Sequence, residues 1–136
     1  QFAHKGRRVV LVSGDGSFHM NLNELTTLAS YELPITVFVM NNTVLGMVRQ
    51  WQKVFYNSRF SATDPHRKTD IVKLAEAFGC CGMRITKNSE VEPVIKAALE
   101  SGKPVVVDCR ISPDANVLPM IPPGGTVEDI IEEIKC

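Results

Sequence analysis

Apolar positions along this chain switch repeatedly between two spacings. Val9-Val10-Leu11-Val12-Ser13 and Ile35-Thr36-Val37-Phe38-Val39-Met40 are short, nearly continuous apolar runs that predict strands. Pro104 to Cys109 is apolar until Asp108 and suits a buried parallel strand. A shorter strand is expected near Met83 to Ile85. Between the runs the apolar spacing becomes three and four. Leu22, Leu25, Leu28 and Ala29 make one helical face, stopped by Pro34. Met47, Val48, Trp51, Val54 and Phe55 make a second stripe, and Ile71, Leu74, Ala75 and Phe78 a third, ended by Gly79. Ser89-Glu90-Val91-Glu92 reads as a capping box for a helix carrying Val91, Val94, Ile95, Ala98 and Leu99. Pro93 falls in its first turn, where proline is tolerated, and Gly102 stops it. Asn57 to Lys68 is polar and reads as a loop. A tail over residues 112–136 holds Pro113, Pro119, Pro122, Pro123 and Gly124-Gly125, then a short expected helix with Val127, Ile130, Ile131 and Ile134.

Strands alternating with helices predict an α/β fold, a mostly parallel open sheet with helices on both faces. In such sheets ligands sit at the carboxyl ends of the strands. The 136 residues suffice for one domain with a real core. Fifteen basic and fifteen acidic residues cancel, so charge gives no reason to expect nucleic acid or an anionic membrane as partner. No apolar run approaches the ~20 residues of a membrane span. The opening Gln1-Phe2-Ala3-His4-Lys5-Gly6 lacks the apolar stretch of a secretory signal, and a cytoplasmic location is expected. Of the cysteines, Cys80, Cys81, Cys109 and Cys136, no pair has zinc-ligand spacing, and all read as thiols, with Cys109 a small core residue.

The chemistry concentrates in two turns at strand exits. Gly14-Asp15-Gly16 follows the first run and Asn41-Asn42 the second. Parallel strands ending at one sheet edge would bring Asp15 and Asn42 together. Gly14 and Gly16 permit a sharp bend and close approach of a ligand, and the amides of Gly16 and Ser17 are suited to phosphate oxygens. Asp15 offers one hard carboxylate, Asn42 an amide oxygen, and Val44 a backbone carbonyl. Magnesium favours such a set, one or two protein carboxylates completed by substrate phosphates and water. Read singly, Asp-Gly is also a common turn, Asn-Asn also an ordinary loop start, and Met47 and Trp51 equally core residues of an amphipathic helix.

The words around the turns narrow this. Gly14-Asp15-Gly16-Ser17-Phe18-His19-Met20-Asn21 and Asn41-Asn42-Thr43-Val44-Leu45-Gly46-Met47-Val48-Arg49-Gln50-Trp51-Gln52 resemble the large catalytic subunits of acetolactate synthases, which are thiamin diphosphate enzymes. Phe55-Tyr56, Arg59-Phe60-Ser61 and Val117-Leu118-Pro119-Met120-Ile121-Pro122-Pro123-Gly124 continue the likeness over nearly the whole chain. The resemblance implies a C-terminal thiamin diphosphate and magnesium domain over residues 1–136. It makes Asp15, Asn42 and the Val44 carbonyl the metal ligands. It places Gly14, Gly16, Ser17, Leu45, Gly46 and Met47 around the cofactor, and Met47 and Trp51 on the substrate channel, one helical turn apart. His19 stands where the family more often has a polar amide, and reads as a lining or packing residue. His4 and His66 read as surface residues, Glu24 as solvated, and Arg49, Lys53, Arg59, Arg67 and Lys68 as a solvated loop and helix face.

By the same resemblance, pyruvate is decarboxylated and its two-carbon unit joined to a second pyruvate or to 2-oxobutanoate, on the way to valine, leucine and isoleucine. The activating glutamate is expected on a separate domain of a partner subunit in a homodimer or homotetramer, and FAD on a middle domain. Neither has a matching segment in these residues. The chain therefore reads as the C-terminal part of a longer polypeptide, inactive alone, with a small regulatory subunit as a further partner. Two other readings stay open: another thiamin diphosphate enzyme, such as a glyoxylate carboligase or pyruvate oxidase, and a non-catalytic assembly or regulatory domain of the same fold.

Overall fold

A computed structural model describes residues 1–4 and 6–134. Cys136 lies outside the described residues. The strands β1 (Val9–Gly14), β2 (Ile35–Asn41), β3 (Cys81–Ile85) and β4 (Val105–Arg110) form one sheet in the order β1-β2-β4-β3. Every adjacent pair is parallel. The helices are α1 (Asp15–Met20), α2 (Leu25–Ser30), α3 (Gly46–Phe55), α4 (Ile71–Ala77) and α5 (Asn88–Glu100).

Alternation along the central strands sends side chains to two cores. Val37, Val39 and Val106 point to one face, where Phe18 of α1, Leu25 of α2 and Ile71 and Ala75 of α4 cover them. Phe38, Met40, Val105, Val107 and Cys109 point to the other, against Val94, Ile95 and Ala98 of α5. Each fully buried valine contributes about 1.5–3 kcal/mol relative to exposure. The expected open parallel sheet with helices on both faces is thus present. At the edge, β1 leaves Val10, Leu11 and Val12 about half exposed. Cys80, Cys81 and Cys109 are free thiols. Burial raises the Cys80 and Cys109 thiol pKa values, helped at Cys80 by neighbouring Cys81 and at Cys109 by Asp108. Among the described residues no helix is long and apolar enough to cross a membrane.

Several local expectations are corrected. The stripe from Leu22 to Ala29 is not one helix. The chain enters α1 directly from β1 at Asp15, passes through a 3-10 turn at Leu22–Glu24, and only then forms α2. The strand expected near Met83 starts at Cys81, where Gly82 lets it pack on α4: a Cβ there would lie 2.7 Å from the Val72 carbonyl oxygen. The capping box of α5 is built by Glu90 rather than by Ser89 and Glu92. The Glu90 carboxylate accepts from the backbone N–H groups of Thr86 and Lys87 and from the Thr86 hydroxyl, and these bonds lower its pKa.

The tail helix is absent. Thr126 caps a single 3-10 turn at Val127–Asp129, Ile130 is extended, and Ile131 exchanges backbone hydrogen bonds of 2.8 and 3.0 Å with Met120. Those bonds commit the Ile131 amide and carbonyl to an antiparallel bridge, which a helix through Ile134 would have required for itself.

Candidate functional site

Register decides what meets at the carboxyl edge. Gly14 pairs with Met40, so the residues after β1 and β2 emerge side by side. Asp15 opens α1 and is buried, its side chain 6% exposed. The N–H groups of the first turn, including those of Gly16 and Ser17, have no carbonyl partner within the helix. Neither Gly14 nor Gly16 takes a left-handed φ, so the anticipated bend is not their contribution. Gly16 instead supplies space: a Cβ on it would stand 3.4 Å from Leu45 Cδ2 and 3.7 Å from Arg67 Nη2.

On the other strand, Asn41 closes β2 and turns inward, donating to Asp108 Oδ1 at 2.8 Å. Asn42 Oδ1 accepts from the Val44 N–H at 3.1 Å, while Thr43 sits at φ 64°, a left-handed turn residue. This turn leads into α3 at Gly46. A Cβ on Gly46 would be 2.6 Å from Asn42 Nδ2, so glycine is what admits the Asn42 amide against the helix start.

One cleft of about 520 Å³ gathers both turns. Gly14, Asp15, Gly16 and Ser17 line it from one side, and Asn42, Val44, Leu45, Gly46 and Met47 from the other. Every residue expected to hold the cofactor is therefore at one cleft. Trp51 is not among its lining residues; its ring stands edge-on to Phe55 at 5.5 Å and is 37% exposed. A single buried carboxylate, a neighbouring amide oxygen and helix-start amides form a set that suits magnesium bridged to a diphosphate. Among the described residues no cluster of three His, Cys, Asp or Glu side chains exists, so a cation at Asp15 would draw further ligands from amide, carbonyl and phosphate oxygens.

Helix α3 organises the walls. Gln50, buried, bonds the backbone of Val117, and Ala115, Asn116 and Val117 form the far side of the cleft. Gln52 bonds both backbone groups of Ser61, and the Leu45 N–H donates to the carbonyl of buried Thr63. Arg49 pairs with Asp114 at 3.2 Å and lies 4.0 Å over the Phe60 ring. The loop and the tail are thus both fastened to α3.

Two features escaped the sequence reading. Arg67, expected on a solvated face, binds Asp15: Nη1 donates to Oδ2 at 2.9 Å, and its side chain is only 22% exposed. Asp108, fully buried, accepts from Arg84 Nε at 2.9 Å, Arg110 Nε at 3.0 Å and Asn41. Arg84 also reaches Asp70 at 2.6 Å, and its pKa is raised, chiefly by the bond to Asp108. Asp70 caps α4 by accepting from the N–H groups of Val72 and Lys73. A carboxylate inside the apolar run Val105–Cys109 was the available signal for this network.

Of the remaining candidates, His19 donates from Nδ1 to the Asp15 carbonyl oxygen at 2.7 Å, and its Nε2 is buried without a hydrogen-bond partner. It borders a second, polar cavity of about 200 Å³ that also includes Asp15, Arg67 and Arg110. His4, Glu24 and His66 are exposed as expected.

The chain is similar to the acetolactate synthase large subunit of Porphyra purpurea, 42% identical over 135 residues, 96% of this chain and 22% of that protein. It is similar to the acetolactate synthase isozyme 2 large subunit of Escherichia coli (strain K12), 39% identical over 99% of this chain and 25% of that protein. The chain thus spans about a quarter or less of the length of these relatives. Among solved structures it resembles the thiamine diphosphate-dependent 4-hydroxybenzoylformate decarboxylase of Rhodococcus jostii RHA1, with a TM-score of 0.75 and 27% identity over 82% of this chain and 21% of that one. Residues 1–109 match the family described as thiamine pyrophosphate enzyme, C-terminal TPP binding domain, and the chain belongs to that family.

Proposed function

We propose that this chain is the cofactor-anchoring part of an acetolactate synthase, acting on pyruvate and on a second 2-oxo acid, pyruvate or 2-oxobutanoate. The observation that carries the reading is the single cleft shared by the Gly14–Ser17 and Asn42–Met47 segments. The relatives named acetolactate synthase support the choice of reaction.

In this reading Asp15, Asn42 and the Val44 carbonyl hold magnesium, and the amides of Gly16 and Ser17 receive the diphosphate. Gly14, Leu45, Gly46 and Met47 complete the cofactor cleft, and Met47 and Trp51 border the channel of the incoming 2-oxo acid. When bound there, thiamin diphosphate would supply the electron sink that decarboxylation of a 2-oxo acid requires. The residues of this chain bind and orient it. Residues 112–136 are the C-terminal tail of the domain, and of these Ala115, Asn116 and Val117 wall the cleft. The activating glutamate, an FAD domain, a homodimeric or homotetrameric assembly, a small regulatory subunit, a cytoplasmic location and a role in branched-chain amino acid synthesis belong to the same proposal.

Calorimetry of the intact protein with thiamin diphosphate and magnesium tests it. Asp15→Asn is expected to weaken magnesium-dependent binding about tenfold or more, a loss of at least ~1.4 kcal/mol. Unchanged affinity would remove Asp15 from the ligand set. The similarity to a decarboxylase keeps a second reading, another thiamin diphosphate enzyme. Products of the intact protein with pyruvate decide between them: 2-acetolactate supports the first, free acetaldehyde or acetate the second. No cofactor binding at all would favour a non-catalytic domain, against which the retained Asp15 and Asn42 argue.

A further inference from the structure

We infer that Arg67 is a tethered cation that occupies the charge position of the metal at Asp15 and must leave before a divalent cation binds there. The inference rests on the reading of Asp15 as a magnesium ligand. Three observations meet at this residue. Arg67 Nη1 lies 2.9 Å from Asp15 Oδ2, and the Asp15 side chain is only 6% exposed, so the pair is little screened by solvent. Its other terminal nitrogen, Nη2, lies 3.7 Å from where a Cβ of Gly16 would stand, over the same helix start assigned to the diphosphate. The guanidinium thus pairs with the carboxylate and stands beside Gly16, in the polar cavity that adjoins Asp15. The segment that carries it, between Phe55 and Ile71, contains four non-glycine residues at left-handed φ: Asn57, Ser58, Ala62 and His66. Such conformations are held at a cost and cluster at ligand clamps and switch regions.

A buried carboxylate left without a counter-charge is unfavourable, and Arg67 relieves this while the metal is away. The same contact opposes loading, because magnesium and the guanidinium compete for one carboxylate. Loading then couples cofactor binding to movement of the 57–69 loop, whose Ser61 is fastened to Gln52 of α3 and whose Thr63 is fastened to Leu45 just before it.

The test is a magnesium titration of the intact protein at saturating thiamin diphosphate, read by calorimetry, together with thermal unfolding of the metal-free protein. Arg67→Met removes the charge at similar length, and Arg67→Lys keeps it. Arg67→Met is expected to lower the half-saturating magnesium concentration roughly fivefold, to reduce the unfolding temperature of the metal-free protein, and to enlarge the increase that magnesium and cofactor produce. Arg67→Lys should stay within about twofold of the parent protein. An unchanged or raised magnesium requirement in Arg67→Met, with parent binding still dependent on Asp15, overturns the inference and leaves the site assignment standing. Loss of the Asp15 dependence itself would overturn the site assignment instead.

Discussion

The side-chain amide of Gln50 is bonded to both backbone groups of Val117: Oε1 accepts from its N–H at 2.7 Å, and Nε2 donates to its carbonyl at 3.0 Å. A helix side chain thereby does for the tail what a neighbouring strand would do. Gln50 is 3% exposed, so the pairing is shielded, and Ala115 to Val117 become a fixed wall of the cleft that holds Asp15 and Asn42.

Replacing Gln50 by leucine keeps the bulk and removes both bonds. The expected cost is about 1–3 kcal/mol, since the Val117 groups lose partners beside a buried side chain. Denaturant unfolding measures that loss. Hydrogen exchange at the Val117 amide should rise as the tail detaches, and an unchanged exchange rate would mean the wall stands without Gln50.

Gly46 sets the position of the Asn42 amide. Alanine in an exposed helix normally stabilises by about 1 kcal/mol over glycine. Here the added Cβ would meet Asn42 Nδ2 at 2.6 Å, and the amide must shift. Gly46→Ala is therefore expected to leave folding stability unchanged or slightly improved while raising the magnesium requirement about tenfold, equivalent to ~1.4 kcal/mol. Calorimetry and thermal unfolding on the same sample separate the two effects. Equal magnesium affinity in the variant would remove Asn42 from the ligand set.

Asp70 links acid stability to the network behind the cleft. Its pKa lies below the ordinary carboxylate value because it accepts from the Lys73 N–H, from Arg84 and from the Val72 N–H. The native state therefore binds fewer protons than the unfolded chain in the acid range. Its contribution is fully present above the unfolded value, near ~3.9, and is lost as pH falls through the lower folded value. Asp70→Asn keeps an N-cap acceptor but removes the charge. Its unfolding temperature should fall less steeply than the parent's below about pH 4. Glu90 and Asp129 are lowered in the same sense, so the slope is reduced rather than abolished. An identical slope would show that Asp70 titrates alike in both states.

How much of this was legible in the sequence follows from the range of the interactions. The strands were readable because runs such as Ile35–Met40 are dictated locally, and the two turns because they sit at strand ends. The helix stripe from Leu22 to Ala29 misled, since no breaker residue separates the 3-10 turn at Leu22–Glu24 from α2, and Leu22 and Leu25 pack into one core from two different elements. The tail helix failed for a similar reason: Ile131 finds its backbone partner at Met120, eleven residues earlier. Arg67 and Asp108 were invisible as partners because their contacts span 52 residues to Asp15 and 24 to Arg84. No periodicity reports a pairing of that separation.

Trp51 is where the two sources of inference pull apart, and one substitution separates them. Helical spacing puts Trp51 on the face of Met47, and Met47 lines the cleft. The Trp51 ring instead packs edge-on against Phe55 and stands outside the cleft lining. If its role is packing alone, Trp51→Leu forfeits an aromatic pair worth about 0.5–1.5 kcal/mol and changes nothing else. If the ring borders the entry of the second 2-oxo acid, the product ratio moves while cofactor affinity does not, because Trp51 stands outside the lining of the cofactor cleft. The expected outcome is the second. With pyruvate and 2-oxobutanoate in competition, the intact Trp51→Leu protein should make a smaller share of 2-aceto-2-hydroxybutanoate than the parent. A lowered unfolding temperature with an unaltered product ratio would return Trp51 to the role of a packing partner for Phe55.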